Sequence, residues 1–233
     1  TSTRYCSNNI KSAQCKDTRI YVRESYRLEL MQKLSILFFL STMCCFNYSA
    51  DINKDNLFEF LNSKQHITAQ FIQTTEIDFK KRTVGGEIKA NRSGQFKIEY
   101  KEPINEMIST DGEYLYKLDL ELDQLDILPR EDYFTNTPIS IFISEIDDLN
   151  ELYLVDYCEV KNNQTSCLIT PKSKESFMEK LFINFIKNNL VSLRYIDSFN
   201  QDVKLQLNNI SWSSFEESDL EISIPEGIDV VYH

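Results

Sequence analysis

Apolar and polar residues alternate with a period of two along most of the chain beyond residue 66, the pattern of strands with one apolar face. Ile67, Ala69 and Phe71 alternate with Thr68 and Gln70; Phe96, Ile98 and Tyr100 follow an Arg-Ser-Gly turn; Val203, Leu205 and Leu207 alternate with Lys204 and Gln206; Leu220, Ile222 and Ile224 repeat the spacing. Further strands are predicted over 84–90, 107–108, 114–118, 122–128, 153–171 broken by a turn, 177–186 and 190–196. Gly85-Gly86 inside one of them predicts a bulge or a strong bend. Asp111-Gly112, Asn162-Asn163, Asn188-Asn189 and Phe199-Asn200 supply the turns, since Asn, Asp and Gly tolerate the backbone that tight hairpins need.

The alternation breaks twice. Leu57, Phe58 and Leu61 share one face of a predicted helix capped by Asp55. After Pro138, the run Ile139-Ser140-Ile141-Phe142-Ile143 leads into Glu145-Ile146-Asp147-Asp148-Leu149. Pro at a first helical position with acidic residues beyond it predicts one or two short helices, although the apolar run by itself fits a strand equally well. About ten or eleven strands with a few short helices make a mainly β fold, an antiparallel sheet curling into a barrel or sandwich. No repeat, linker or low-complexity stretch divides it, so 51–233 is read as a single domain.

The first Met is Met31. Met31-Gln32-Lys33, an almost unbroken apolar run over 34–46 and the small Ala50 have the layout of a secretory signal peptide over 31–50, with cleavage after Ala50. The run is too short to cross a bilayer, which takes roughly 20 residues. Lipid attachment at Cys44 or Cys45 is disfavoured by the bulky Met43 before them. Residues 1–30 are read as an upstream extension from a gene start placed too early, the alternative being a genuine N-terminal extension.

Formal net charge is −11, and it is more negative from Asp51 onward because the first 50 residues carry an excess of basic side chains. No Lys/Arg cluster is present for phosphate, which argues against a nucleic-acid partner and against anionic headgroups. The negative surface either keeps the protein soluble or steers a basic partner. Cys158 and Cys167 lie symmetrically about Asn162-Asn163, so a two-residue turn sets them opposite each other as a non-hydrogen-bonded pair. In an oxidising compartment this predicts a disulfide with a stapling role, two separate buried thiols being the alternative. His66 and His233 are the only histidines, and His66 is read as a surface residue. No metalloprotease, nucleophile-elbow or phosphate-loop motif occurs, and no spacing singles out a carboxylate pair. No enzyme activity, metal or cofactor is expected.

One ordered set of residues goes further. Arg92-Ser93-Gly94-Gln95-Phe96-Lys97-Ile98-Glu99-Tyr100 is followed by Pro103, by Ser109-Thr110-Asp111-Gly112, and by Tyr116, Asp119, Leu122 and Gln124. This resembles the LolA family, periplasmic carriers of lipoproteins, whose usual pattern is Arg-Pro-Gly-x-Phe-Arg-Trp-x-Tyr, then Pro, Ser-Asp-Gly and Tyr-Asp-x-x-Leu-x-Gln. Ser93 replaces the Pro and Ile98 the Trp. Pro225-Glu226-Gly227-Ile228-Asp229-Val230 is similar to the family's Pro-x-Gly-x-x-Val tail, and Thr137-Pro138 falls where the family opens a lid helix.

The resemblance implies an incomplete antiparallel barrel whose concave face is covered by short helices, with acyl chains held in the apolar hollow between them. It implies a monomeric periplasmic carrier that receives acylated lipoproteins from an inner-membrane ATP-driven transporter and delivers them to an outer-membrane receptor. It makes Arg92 a latch on the lid, through a guanidinium able to donate to several carbonyls. Leu57, Leu61, Phe71, Phe96, Ile98 and Tyr100 are the expected cavity wall, and Ile139, Phe142 and Ile143 the lid lining, with plain core packing as the alternative for each. Two other classes remain: a periplasmic lipid-binding or signalling half-barrel of the same fold, as in regulators that bind anti-sigma factors, and a periplasmic hydrolase.

Overall fold

The computed structural model describes residues 51–233 apart from 78, 79, 102 and 131–136. The signal over 31–50 and the extension over 1–30 lie outside the described residues.

Among the described residues, twelve strands form one sheet. They are β1 (His66–Ile77), β2 (Lys80–Asn91), β3 (Phe96–Tyr100), β4 (Glu106–Thr110), β5 (Tyr114–Asp119), β6 (Gln124–Pro129), β7 (Tyr153–Lys161), β8 (Gln164–Pro171), β9 (Met178–Ile186), β10 (Asn189–Asp197), β11 (Asp202–Ser211) and β12 (Asp229–Tyr232). Their order is β12-β6-β5-β4-β3-β2-β1-β11-β10-β9-β8-β7, so the two end strands are not paired and the sheet does not close into a barrel. Every pairing is antiparallel except β12 with β6. The strand count exceeds the expectation by β12, a short strand whose parallel partner, β6, is distant in sequence, so no hairpin announces it.

Two long connections follow from this order. After β6 the chain passes from one end of the sheet to the other, through helix α2 (Ser140–Ile143) and helix α3 (Ile146–Leu152), before β7 begins. Together with α1 (Leu57–Asn62), these helices cover the inner face. One buried cluster joins them to both arms of the sheet, taking in Ile67, Ala69, Phe71, Ile88 and Phe96 on one side and Ile169, Ile183, Phe185 and Leu193 on the other. A single sheet can reach the same helices from both sides only by wrapping round them. The second connection, 212–228, returns over the outer face. There Ser109 Oγ and Lys97 Nζ donate to the carbonyls of Leu220 and Glu221, and Lys89 pairs with Asp219 at 3.3 Å.

Several local expectations are corrected. Asn56, not Asp55, sits at the N-terminus of α1, and its side chain accepts from the Asn53 N–H while Asn53 accepts from Asp55 and Asn56. At Gly85-Gly86, β2 stays in register with both neighbours and has no bulge. A Cβ on Gly86 would strike the Phe71 ring and the Glu99 carbonyl, so the glycine is there to admit them. An irregularity lies nearby instead, between Thr68 and Gln70 where β1 meets β11. The β9–β10 turn is Lys187-Asn188, with φ of 49° and 62°, one residue earlier than Asn188-Asn189. Leu220 ends a 3-10 turn (Glu217–Leu220) and 221–225 is irregular; the alternation of Leu220, Ile222 and Ile224 reflects the strap's position on the sheet, not a strand. The apolar run after Pro138 is helical, as expected, and a second short helix follows it.

Candidate functional site

Arg92 lies in the β2–β3 turn, and its aim is set locally. Gly94 takes φ of 90°, Asn91 Oδ1 accepts from the Gln95 N–H at 3.0 Å, and Ser93 Oγ donates to Asn91 Oδ1 at 2.7 Å. Ser93 thus braces the turn by hydrogen bonding where the family has a ring. The Arg92 N–H also donates to the Gln65 carbonyl at 3.0 Å.

From there the side chain runs inward and is only 4% exposed. Nη2 donates to the Leu61 carbonyl at 2.6 Å, Nε to Lys64 at 3.2 Å and Nη1 to Ser144 at 2.7 Å. Leu61 lies in the last turn of α1, and Ser144 is the residue that ends α2. Helix C-termini leave carbonyls without intrahelical donors and carry partial negative charge, so one guanidinium closes two helices at once. Burial pulls its pKa down to about 10, partly opposed by the charge of Glu145, and it stays a cation at neutral pH. A buried cation is tolerable only with such donors satisfied.

Leu57, Leu61, Phe71, Phe96, Ile139, Phe142 and Ile143 all enter the single buried cluster, and Ile98 and Tyr100 are half-buried against it. The structure brings together every residue named for the wall and the lid, packed side chain on side chain. Phe71 and Tyr100 meet edge to face with ring centroids 5.5 Å apart, and Phe60 meets Phe185 likewise at 5.6 Å. The far wall was not named from sequence. It comes from Leu181, Ile183 and Phe185 of β9 with Leu193 of β10, and the alternation along 181–185 was the available signal. Tyr153 was also missed. It is 2% exposed at the start of β7, and its hydroxyl meets Ser140 Oγ at 2.6 Å; a tyrosine beginning a strand gives no warning of this.

Cys158 and Cys167 face each other across the β7–β8 hairpin with Cα atoms 4.0 Å apart and are joined by a disulfide. Asn162 and Asn163, at φ of 51° and 61°, make the turn between them. A cleft of about 510 Å³ opens beside Arg92, lined among others by Ser93, Arg130, Ser144 and Glu145, so the bond from Arg92 to the Ser144 carbonyl lies close to solvent. The assembly therefore offers a large apolar surface under two short helices, and a polar contact at their rim.

Comparison with known proteins gives the following. The family described as "Outer membrane lipoprotein carrier protein LolA" matches residues 62–219. The chain is 29% identical over 181 residues to an outer-membrane lipoprotein carrier protein of Hahella chejuensis, covering 76% of this chain and 87% of that one. To the protein of the same name from Neisseria meningitidis serogroup B it is 26% identical over 178 residues, covering 76% and 86%. Among solved structures, an uncharacterized conserved protein from Thermus thermophilus superposes with a TM-score of 0.50 at 10% identity, covering 77% of this chain and 98% of that one, a likeness of fold.

Proposed function

Because the chain belongs to the LolA family of outer membrane lipoprotein carrier proteins, we propose that it carries acylated lipoproteins across the periplasm, shielding their acyl chains beneath α2 and α3. The observation that carries this reading is the position of Arg92, a buried cation joining α1 to the lid by backbone carbonyls alone, directly over the apolar cluster.

An acyl chain is drawn to a membrane by about 0.8 kcal/mol per buried methylene, or on the order of 12 kcal/mol for around 15 of them. A water-soluble carrier has to offer a nearly equal apolar surface. Here that surface is turned on itself, wall and lid residues sharing one buried cluster, as expected of an unloaded carrier. Loading displaces the lid and substitutes acyl chains for lid side chains, and release restores the lid contacts. The free-energy difference between the two states is thereby kept small, as hand-over demands. The sequence carries no phosphate-loop motif, so loading is assigned to an inner-membrane ATP-driven transporter and unloading to an outer-membrane receptor. No catalytic step is proposed.

The test is recovery of the protein from periplasm under mild conditions, followed by intact-mass analysis of what accompanies it. Triacylated lipoproteins in stoichiometric amount are expected. Recovery free of lipoprotein, from cells whose lipoprotein export is running, would sink the carrier reading.

A further inference from the structure

Two phenols stand in the apolar wall with no protein group to bond. Tyr100 of β3 and Tyr195 of β10 are both half-buried and packed against the single buried cluster. On the register Tyr100 is level with Phe71 of β1 and Tyr195 with Thr75, whereas the Arg92 turn adjoins His66 at the start of that strand. The pair therefore lies toward the end of the sheet away from Arg92. Neither hydroxyl makes a hydrogen bond among the described residues. Nor is either one of the wholly buried, unsatisfied side-chain atoms, which are Asn62 Oδ1 and Asp156 Oδ2. Each hydroxyl thus keeps some contact with water while its ring sits among apolar side chains.

Burial raises the pKa of both phenols, Tyr195 further because Tyr100 and Asp197 lie near it, and Tyr100 further because Glu106 does. At neutral pH both are protonated and able to donate. The influence of Tyr100 on Tyr195 also sets the two close together, although three strands separate β3 from β10 in the sheet. Where the wall needs only a ring it has phenylalanine, as at Phe71, Phe96 and Phe185. Elsewhere the fold answers its phenols, Tyr153 meeting Ser140 Oγ and Tyr116 donating to Asp111 at 2.8 Å. Phenylalanine in place of Tyr100 or Tyr195 would fill the same space and spare the protein a hydroxyl set against an apolar surface. The two hydroxyls are suited to an acceptor that arrives from outside. An acyl chain brings one, because the carbonyl of its ester or amide leaves water with the chain and costs free energy unless a donor meets it.

We propose that Tyr100 and Tyr195 donate hydrogen bonds to the carbonyl oxygens that join acyl chains to the lipoprotein, so that the linkages stop at this end and the tails run on toward Arg92. The inference rests on the carrier reading and deepens it, since the site then recognises the acyl linkage as well as the chain. Phospholipid esters present the same group, and the experiment separates the two sources.

Binding is followed by the fluorescence of Trp212, the single tryptophan of the chain, which packs against the same cluster. The titrants are 1-palmitoylglycerol and 1-O-hexadecylglycerol, which differ only in the ester carbonyl, and the readout is the ratio of their affinities. The parent should prefer the ester roughly fivefold, as one neutral hydrogen bond provides. Tyr100→Phe and Tyr195→Phe keep the rings, and each should lower the ratio; the double variant should bring it to one. A synthetic triacylated lipopeptide and a diacyl phospholipid are then compared as competitors. The double variant should lose affinity for the lipopeptide, and loss for the phospholipid alone would overturn the assignment to lipoprotein. Equal binding of ester and ether by the parent, or loss of both in either single variant, would overturn the proposal and leave the carrier reading standing. A parent that binds none of the four would bring down the carrier reading, and this inference with it.

Discussion

Phe71 of β1 and Tyr100 of β3 meet edge to face, with ring centroids 5.5 Å apart, although a whole strand lies between them. The contact is possible because Gly86 of β2 occupies the position paired with both. A Cβ there would strike the Phe71 ring and the Glu99 carbonyl, whereas at Gly85 the nearest atom, the Phe71 carbonyl, would be 3.8 Å away. Gly86→Ala should therefore cost roughly 1–3 kcal/mol, the usual penalty of overpacking, lowering Tm by roughly 2–10 °C. Gly85→Ala should be neutral or slightly stabilising. Thermal denaturation of the two variants separates them, and equal melting temperatures would show that the aromatic contact does not depend on the missing side chain.

The disulfide closes a hairpin whose cysteines are nine residues apart. Chain entropy gives a loop of that length about 2–3 kcal/mol. The Asn162-Asn163 turn already favours the same hairpin, so the low end of that range is expected. Cys158→Ser with Cys167→Ser should lower the unfolding free energy by that amount, read as a lower urea midpoint at unchanged slope. The effect should match that of reductant on the parent, and reductant should do nothing further to the double variant.

These two cases show what could be read in the sequence and what could not. The pairing of Cys158 with Cys167 followed from counting outward through a turn, because antiparallel register is a local property once the turn is fixed. The same counting failed by one residue at Lys187-Asn188, where a lysine takes the positive φ and nothing in the local composition announces it. Gly85-Gly86 was read as a bulge or a strong bend, and the bulge is absent, because sequence shows that a side chain is missing but not which neighbour fills the space. Leu220, Ile222 and Ile224 alternated like a strand, yet alternation records only that one side of a segment is apolar. Whether the backbone then finds a ladder depends on the distant partner. Arg92 and the residues of the cluster were named through the family likeness, while Tyr153 and the β9 wall, which that likeness did not single out, became visible only when the far arm of the sheet was in place.

Acid should loosen the turn that carries Asp111. Partial burial pushes the Asp111 pKa up, but the N–H groups of Tyr114 and Glu113 and the Tyr116 hydroxyl outweigh this, and the net shift is downward. A carboxylate with a folded-state pKa below its unfolded value contributes stability that is present above the unfolded value, near 4, and is lost as pH falls through the folded one. The urea midpoint should decline from about pH 4 downward. Asp111→Asn should be less stable at pH 7 and show a shallower acid limb. Among the described residues, Asp202, lowered by its hydrogen bond from Arg194, and Asp126, lowered by its hydrogen bond with His233, add slope of the same sign. Identical slopes in parent and variant would remove Asp111 from the account.

Arg92→Leu should bind cargo normally and give it up slowly. Closure of the lid over the empty cluster regains the bond from Nη1 to the Ser144 carbonyl. With the lid displaced, that carbonyl is turned to water in parent and variant alike, so the substitution penalises the closed, empty state and leaves the loaded one nearly unaffected. A hydrogen bond to a charged group contributes about 1.5–3 kcal/mol, which corresponds to roughly ten- to hundredfold tighter retention. Arg92→Lys should fall between the two, because one ammonium cannot serve the carbonyls of Leu61, Lys64 and Ser144 with the geometry of a planar fork. The measurement is the rate at which loaded protein passes a lipoprotein to acceptor vesicles bearing the receptor, set beside the amount loaded. Reduced loading in Arg92→Leu would indicate damage to the apolar cluster, and transfer at the parent rate would mean that Arg92 holds the helices together without governing release.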